Sequence, residues 1–323
     1  MARRRVRPIV AVCALLICAF ASLGGCSEDR VSPAGSDLIQ TSASSDPALA
    51  PDEPQRKAGK LRPKPSRATK DKSRMFYDNC QIGAREVRNK RCIYGARKGR
   101  RSVVLFGDSH ALMYFPALNR LAKRKGWRLV ALAKVGCPPF DQLVYNRRVG
   151  RGYRECLRWH RYVLRRLDKG NPNLIVTSGW IWHKAMRKGR IVPRASERNR
   201  RLLRKGYVSM LRKLRRRTGA KLAVMKDVPK APHRIPPCVS RNRQSLDRCA
   251  FTIPDSHERQ SFERAVVQEV KGARLVDLSP VFCPDRLCHA VIRDRLVYRD
   301  NNHLTATYSG VLWRQLEARL PRP

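Results

Sequence analysis

Residues 103–110 read Val103-Val104-Leu105-Phe106-Gly107-Asp108-Ser109-His110. A short apolar run that stops at a glycine and passes into a helical pattern marks a buried parallel strand turning into a helix. Such a turn puts Ser109 at the carboxyl edge of a sheet, where open α/β folds bind their ligands. It also puts the hydroxyl beside a helix start, where free backbone N–H groups favour a developing negative charge. A serine that merely caps the helix would sit in the same place. Gly-Asp-Ser alone does not separate the two readings.

The sequence Asp300-Asn301-Asn302-His303 near the other end supplies what Ser109 lacks. Neutral imidazole can take the serine proton, and a carboxylate three residues earlier can accept the other ring N–H and fix the tautomer. Serine, histidine and aspartate are the minimum set for acyl transfer through a serine ester. Of the other histidines, His160, His183, His233 and His257 have no orienting partner nearby in sequence and read as structural or exposed.

The pattern outward from residue 103 is strand–helix alternation. Candidate strands are 102–106, 128–133, 173–177, 221–225 and 274–278, and candidate helices are 110–125, 154–168, 196–217, 256–271 and 305–319. This order predicts one α/β domain with a parallel sheet and helices on both faces. Asp255 and Glu258 have capping-box spacing. Gly126, Gly170, Gly219 and Gly272 stand where helices stop. The helix from 196 gathers Leu203, Tyr207, Met210, Leu211 and Leu214 on one face, which suits packing on a sheet or lying on a membrane surface.

Four stretches carry a resemblance: VVLFGDSHALMYFP (103–116), GCPP (136–139), IVTSGW (175–180) and YRDNNHLTATYS (298–309). In these the chain resembles the SGNH (GDSL-like) hydrolases and acyltransferases. It is most like the SGNH domains fused to integral-membrane acyltransferases that O-acetylate surface polysaccharides. The resemblance implies a three-layer α/β/α sandwich with a flavodoxin-like sheet. It implies Ser109 as nucleophile, His303 as base and Asp300 as its partner. One family element is missing: the asparagine of a Gly-x-Asn-Asp block, a side-chain oxyanion donor, has no counterpart at Ser178-Gly179-Trp180. The backbone N–H groups of Ser109 and Gly136 remain as candidate donors. Loss of one such donor costs about 10²–10³ in rate. Trp180, Trp182 and His110 are candidate substrate contacts, with core packing as the competing role of the tryptophans. The chemistry calls for no metal or organic cofactor.

The compartment is legible from the start of the chain and from cysteine usage. Arg3, Arg4, Arg5 and Arg7 precede an apolar run from Ile9 to Ala21, and Leu23-Gly24-Gly25-Cys26 resembles a lipobox. Residues 1–26 are therefore expected to be a lipoprotein signal with Cys26 lipidated, and 27–75, rich in Ser, Pro and charge, a disordered tether to a domain at 76–323. Of 11 cysteines, eight lie beyond the signal, in four sequence-local pairs. Nearest-neighbour bridges Cys80–Cys92, Cys137–Cys156, Cys238–Cys249 and Cys283–Cys288 are expected, although eight cysteines allow 105 pairings. Each would stabilise by about 2–4 kcal/mol.

The formal charge is +45, a field that draws anionic surfaces. An exported location argues against nucleic acid as partner. The expected partners are a carbohydrate acyl ester, the membrane surface through Cys26, and a separate integral-membrane acyltransferase. Three readings follow. The first is an exported, membrane-tethered serine esterase or O-acyltransferase. The second is an α/β-hydrolase, disfavoured because its acid and base come from separate loops. The third is a lipoprotein that keeps the fold and binds anionic wall polymer.

Overall fold

The computed structural model describes residues 54–253 and 262–323. Side chains of a strand alternate between faces, and β1 (Ser102–Gly107) is buried along its whole length. Val103 and Leu105 join one core cluster, Val104 and Phe106 the other. That double burial is why the strand reads as a continuous apolar run. The same division holds in β2 (Arg128–Lys134), β3 (Leu174–Ser178) and β4 (Lys221–Met225), and β5 (Ala273–Val276) completes the set.

These five strands run parallel in the order β2-β1-β3-β4-β5, the flavodoxin-like arrangement. Gln81–Ile82 and Ile93–Gly95 extend the sheet beyond β2, the latter antiparallel. The topological switch point lies between β1 and β3, and open α/β sheets bind ligands in the crevice beyond the strand ends there.

Helices cover both faces. The β1 turn leads into α1 (Ser109–Leu112) and then α2 (Phe115–Arg124). The expected single helix is broken at Met113–Tyr114 because Pro116 starts a new one. The second face is packed by α3 (Arg154–Asp168), α4 (Glu197–Thr218) and α5 (Phe262–Gln268). Ser196 caps α4 by accepting from the Asn199 N–H, and Gly219 ends it at φ 63°. The apolar face of α4, with Leu203, Tyr207, Met210, Leu211 and Leu214, is inside that core, so it is a sheet-packing helix. The chain closes with Ala306–Ser309 and α6 (Trp313–Arg319), two pieces where one helix was expected. No helix of the described residues is long and apolar enough to cross a membrane.

Four disulfides join Cys80–Cys92, Cys137–Cys156, Cys238–Cys249 and Cys283–Cys288. A small antiparallel sheet built from Val144–Asn146, Arg151–Gly152, Lys184–Arg187 and Arg190–Ile191 escaped the sequence reading. Strands of two to four residues are too short to show periodicity.

The tether expectation fails for residues 54–75. Pro54 bridges Ile292, Arg62 bridges Arg295, and Leu61, Ala68 and Met75 are buried in the main core. The Ala306 N–H donates to the Asp71 carbonyl. Composition hid this packing because the three anchoring residues are seven apart, buried by tertiary contacts and not by any local pattern. The signal, Cys26, residues 27–53, the Asp255/Glu258 capping box and His257 lie outside the described residues.

Candidate active site

The turn after β1 is set by backbone contact. A Cβ on Gly107 would stand 1.9 Å from the Ser178 carbonyl oxygen, so β1 can lie this close to the end of β3 only with glycine. Asp108 then locks the turn. Its Oδ1 accepts from the His110 N–H at 2.8 Å and its Oδ2 from the Trp180 N–H at 3.1 Å, tying α1 to the loop after β3. His183 Nε2 lies 3.5 Å from the same carboxylate. His183 therefore has a charged neighbour that its sequence position does not reveal. Burial alone would raise the Asp108 pKa, but His183 and His110 hold it below the usual carboxylate value.

This anchoring presents a half-buried Ser109, whose N–H at the first helical position has no intrahelical partner. The Ser109 Oγ lies 2.9 Å from His303 Nε2. His303 Nδ1 lies 2.8 Å from Asp300 Oδ2, and Asp300 Oδ1 accepts from the N–H groups of Asn302 and His303, both at 2.8 Å. With the proton on Nδ1, the ring donates to Asp300 and accepts from Ser109. The two halves are 194 residues apart in sequence. Burial lowers the His303 pKa, and nearby His110 adds to this against the pull of Asp300. Burial works against ionisation of Asp300, but His303, the Asn302 N–H and Arg299 outweigh it and hold the carboxyl well below its ordinary value.

A second buried pair supports the first. His110 Nδ1 lies 2.5 Å from Asp227 Oδ1, and its ring centroid is 4.6 Å from that of His303. Asp227 raises the His110 pKa despite burial. His110 is 2% exposed. The expectation that it touches substrate is corrected: it lies behind His303, held by a carboxylate that sequence spacing could not reveal. Glu263 accepts from the Asp227 N–H at 2.9 Å, and burial, with Asp227 beside it, pushes its own carboxyl up to about 8.

The other sequence candidates are more dispersed. Trp180 stacks on His110 at 6.2 Å and meets the edge of His183 at 5.4 Å, close to the triad. Trp182 lines two cavities with Ile181, neither of which includes Ser109. Gly136 adopts φ 56°, and a Cβ there would come within 3.1 Å of Asn146 Nδ2. The buried Asn146 accepts from the Arg148 N–H through Oδ1, leaving its amide NH2 turned toward Gly136. Cys137, Cys156 and His160 cluster, but the two sulfurs are bonded to each other and offer no thiolate. The small cleft over Ser109 is lined by Lys72, Ser73, Phe76, Gln81 and Arg299, with apolar groups from α1, α2 and Leu304. Lys72 and Gln81 carry no motif, and only the fold brings them to the serine, whereas Arg299 precedes Asp300 in the 298–309 stretch.

A flavodoxin-like sheet with a serine, histidine and aspartate meeting at its switch point defines an SGNH-type α/β protein. Residues 79–318 match the family model described as the SGNH domain fused to AT3 domains, and the chain belongs to that family. No curated protein matches the sequence. Among solved structures the chain is similar to the periplasmic domain of a lipopolysaccharide acetyltransferase from Salmonella ser. Paratyphi A. The two share 12% identity over 69% of this chain and 84% of that one, with a TM-score of 0.51. It also aligns with an acetyl xylan esterase, AlAXEase (15% identity, 68% and 100% covered, TM-score 0.38). A third alignment is with Est24, a carbohydrate acetylesterase from Sinorhizobium meliloti (14%, 68% and 97%, 0.39). The first likeness is one of fold, and the other two are too loose in shape to carry an argument. Membership of this family supports acyl-ester hydrolysis or transfer, and the four disulfides suit an oxidising compartment.

Proposed function

We propose that the protein is an exported serine esterase or O-acyltransferase that acts on acetyl esters of cell-surface carbohydrate. The hydrogen-bonded chain from Ser109 through His303 to Asp300 carries this reading. Ser109 Oγ attacks the acyl carbonyl while His303 Nε2 takes its proton, and Asp300 stabilises the resulting imidazolium. The N–H of Ser109, with that of Gly136, receives the oxyanion. The imidazolium returns the proton to the departing alkoxide, leaving an acyl–Ser109 ester. Water or a sugar hydroxyl, deprotonated by His303, then releases the acyl group and frees the serine.

Lipidation at Cys26 would hold the domain at the membrane. A separate AT3-type membrane acyltransferase is the natural donor partner, because the family's domains occur fused to such proteins. The test is intact-mass spectrometry of the oxidised protein after exposure to an activated acetyl ester, beside Ser109→Ala. One added acetyl on the wild type alone supports the reading. A folded protein with neither adduct nor turnover sinks it and leaves the binding lipoprotein.

A further inference from the structure

The polar lining of the Ser109 cleft is one-sided. Lys72, Gln81 and Arg299 face it, and all three offer donors. The Lys72 ammonium sits 3.9 Å from the centroid of the Phe76 ring, and the described residues show no hydrogen bond or ion pair to it. Burial, and after it the nearby Arg299 cation, lower the Lys72 pKa against the pull of Asp300. Gln81 Nε2 is buried without a partner.

The nearby carboxylates are already committed. Asp300 serves His303 and sits 3.9 Å from one Arg299 nitrogen. Asp71 accepts from the Thr307 N–H at 3.0 Å. Asp78 holds Arg74 and the Tyr94 hydroxyl. The one hydroxyl besides Ser109, Ser73, accepts from the Met75 N–H. Lys72, which has no ion pair among the described residues, Arg299, which reaches Asp300 only at 3.9 Å, and an unsatisfied amide therefore face the reacting serine. A ligand carboxylate or phosphate placed among these donors would gain charge-assisted hydrogen bonds from them.

We propose that the acyl-bearing or acyl-accepting glycan is acidic, with a carboxylate or phosphate bound by Lys72 and Arg299 beside the reacting ester. The inference rests on Ser109 as the acylated residue. It narrows the substrate to acidic sugars. Lys72 comes from the segment that packs back across the domain, so that segment supplies specificity as well as stability.

Binding tests this without requiring turnover. Three O-acetylated oligosaccharides would be titrated calorimetrically into the full-length Ser109→Ala protein: an oligogalacturonide, a phosphorylated oligosaccharide and a neutral xylo-oligosaccharide. At least one acidic ligand should bind tenfold or more tighter than the neutral one, and which one does identifies the anion. Adding Lys72→Met should cut that ratio at least tenfold, and Lys72→Arg should restore most of it. Equal binding of acidic and neutral ligands overturns the proposal. So does an acidic preference that survives Lys72→Met, because the overall positive charge would then explain it. Turnover of a neutral activated ester by the Ser109 protein, measured in parallel, judges the serine mechanism separately.

Discussion

Replacing Asp300 with asparagine removes one charge from the centre of the site and leaves its shape intact. In the wild type, the imidazolium formed as Ser109 attacks faces Asp300 Oδ2 at 2.8 Å. At an effective dielectric of about 20, a charge pair at that separation is worth about 6 kcal/mol, or about 10⁴ in rate. Arg299 and His110 both bear on His303 with positive charge, so nothing nearby replaces the lost carboxylate. Asparagine can also donate where Asp300 accepts, which stabilises the tautomer with its proton on Nε2, unable to receive the serine proton. Partial exposure of the pair softens the figure to about 10³–10⁴ in kcat. The assay is hydrolysis of p-nitrophenyl acetate by wild type, Asp300→Asn and Ser109→Ala, with circular dichroism confirming the fold. An Asp300→Asn protein within tenfold of wild-type kcat, while Ser109→Ala is inactive, would refute the electrostatic argument.

The depressed pKa of His303 places the acid limb of kcat/KM below the ordinary imidazole value of 6.5. Esterase activity should persist at mildly acid pH, as a pH–rate profile would show. Glu263, held up to about 8 from 4.5, keeps in the folded state a proton that the unfolded chain releases. Its contribution is complete below about 4.5 and is lost as pH rises toward 8. Thermal melts should show stability falling across that window by a few kcal/mol, with Glu263→Gln flattening the slope. Gly107→Ala would drive a methyl into the Ser178 carbonyl. It should destabilise by about 3 kcal/mol or more and depress activity by displacing Ser109, both readable from denaturation and ester turnover. Removing the Cys238–Cys249 bridge, which closes an 11-residue separation, should cost about 2–4 kcal/mol in urea unfolding.

Much of the frame is written in the chain's own pattern. A buried parallel strand must be apolar on both faces, so 103–106 announces itself, as do the runs in β2, β3 and β4. The helix starting near 196 is legible from its one-sided apolar stripe and from Gly219, which takes the left-handed conformation. Ser109 and His303 were visible because each sits at a local chemical boundary: a glycine turn in one case, an Asp-x-x-His spacing in the other.

Tertiary structure decided the rest, because the remaining interactions join residues with no local relation. Asp227 reaches His110 across 117 positions, and His183 meets Asp108 from the loop after β3. Neither pairing has a spacing that a linear reading could test. Residues 54–75 looked like a tether because their composition is polar, and composition does not record that Leu61, Ala68 and Met75 find a core elsewhere in the chain. The same fold-back delivers Lys72 to the serine. The sequence by itself determined the strand–helix order and the candidate reacting groups, which depend on local geometry and residue chemistry. Burial, pKa and the charge facing the cleft were settled only when distant segments met, because each depends on which groups share a volume from which water is excluded.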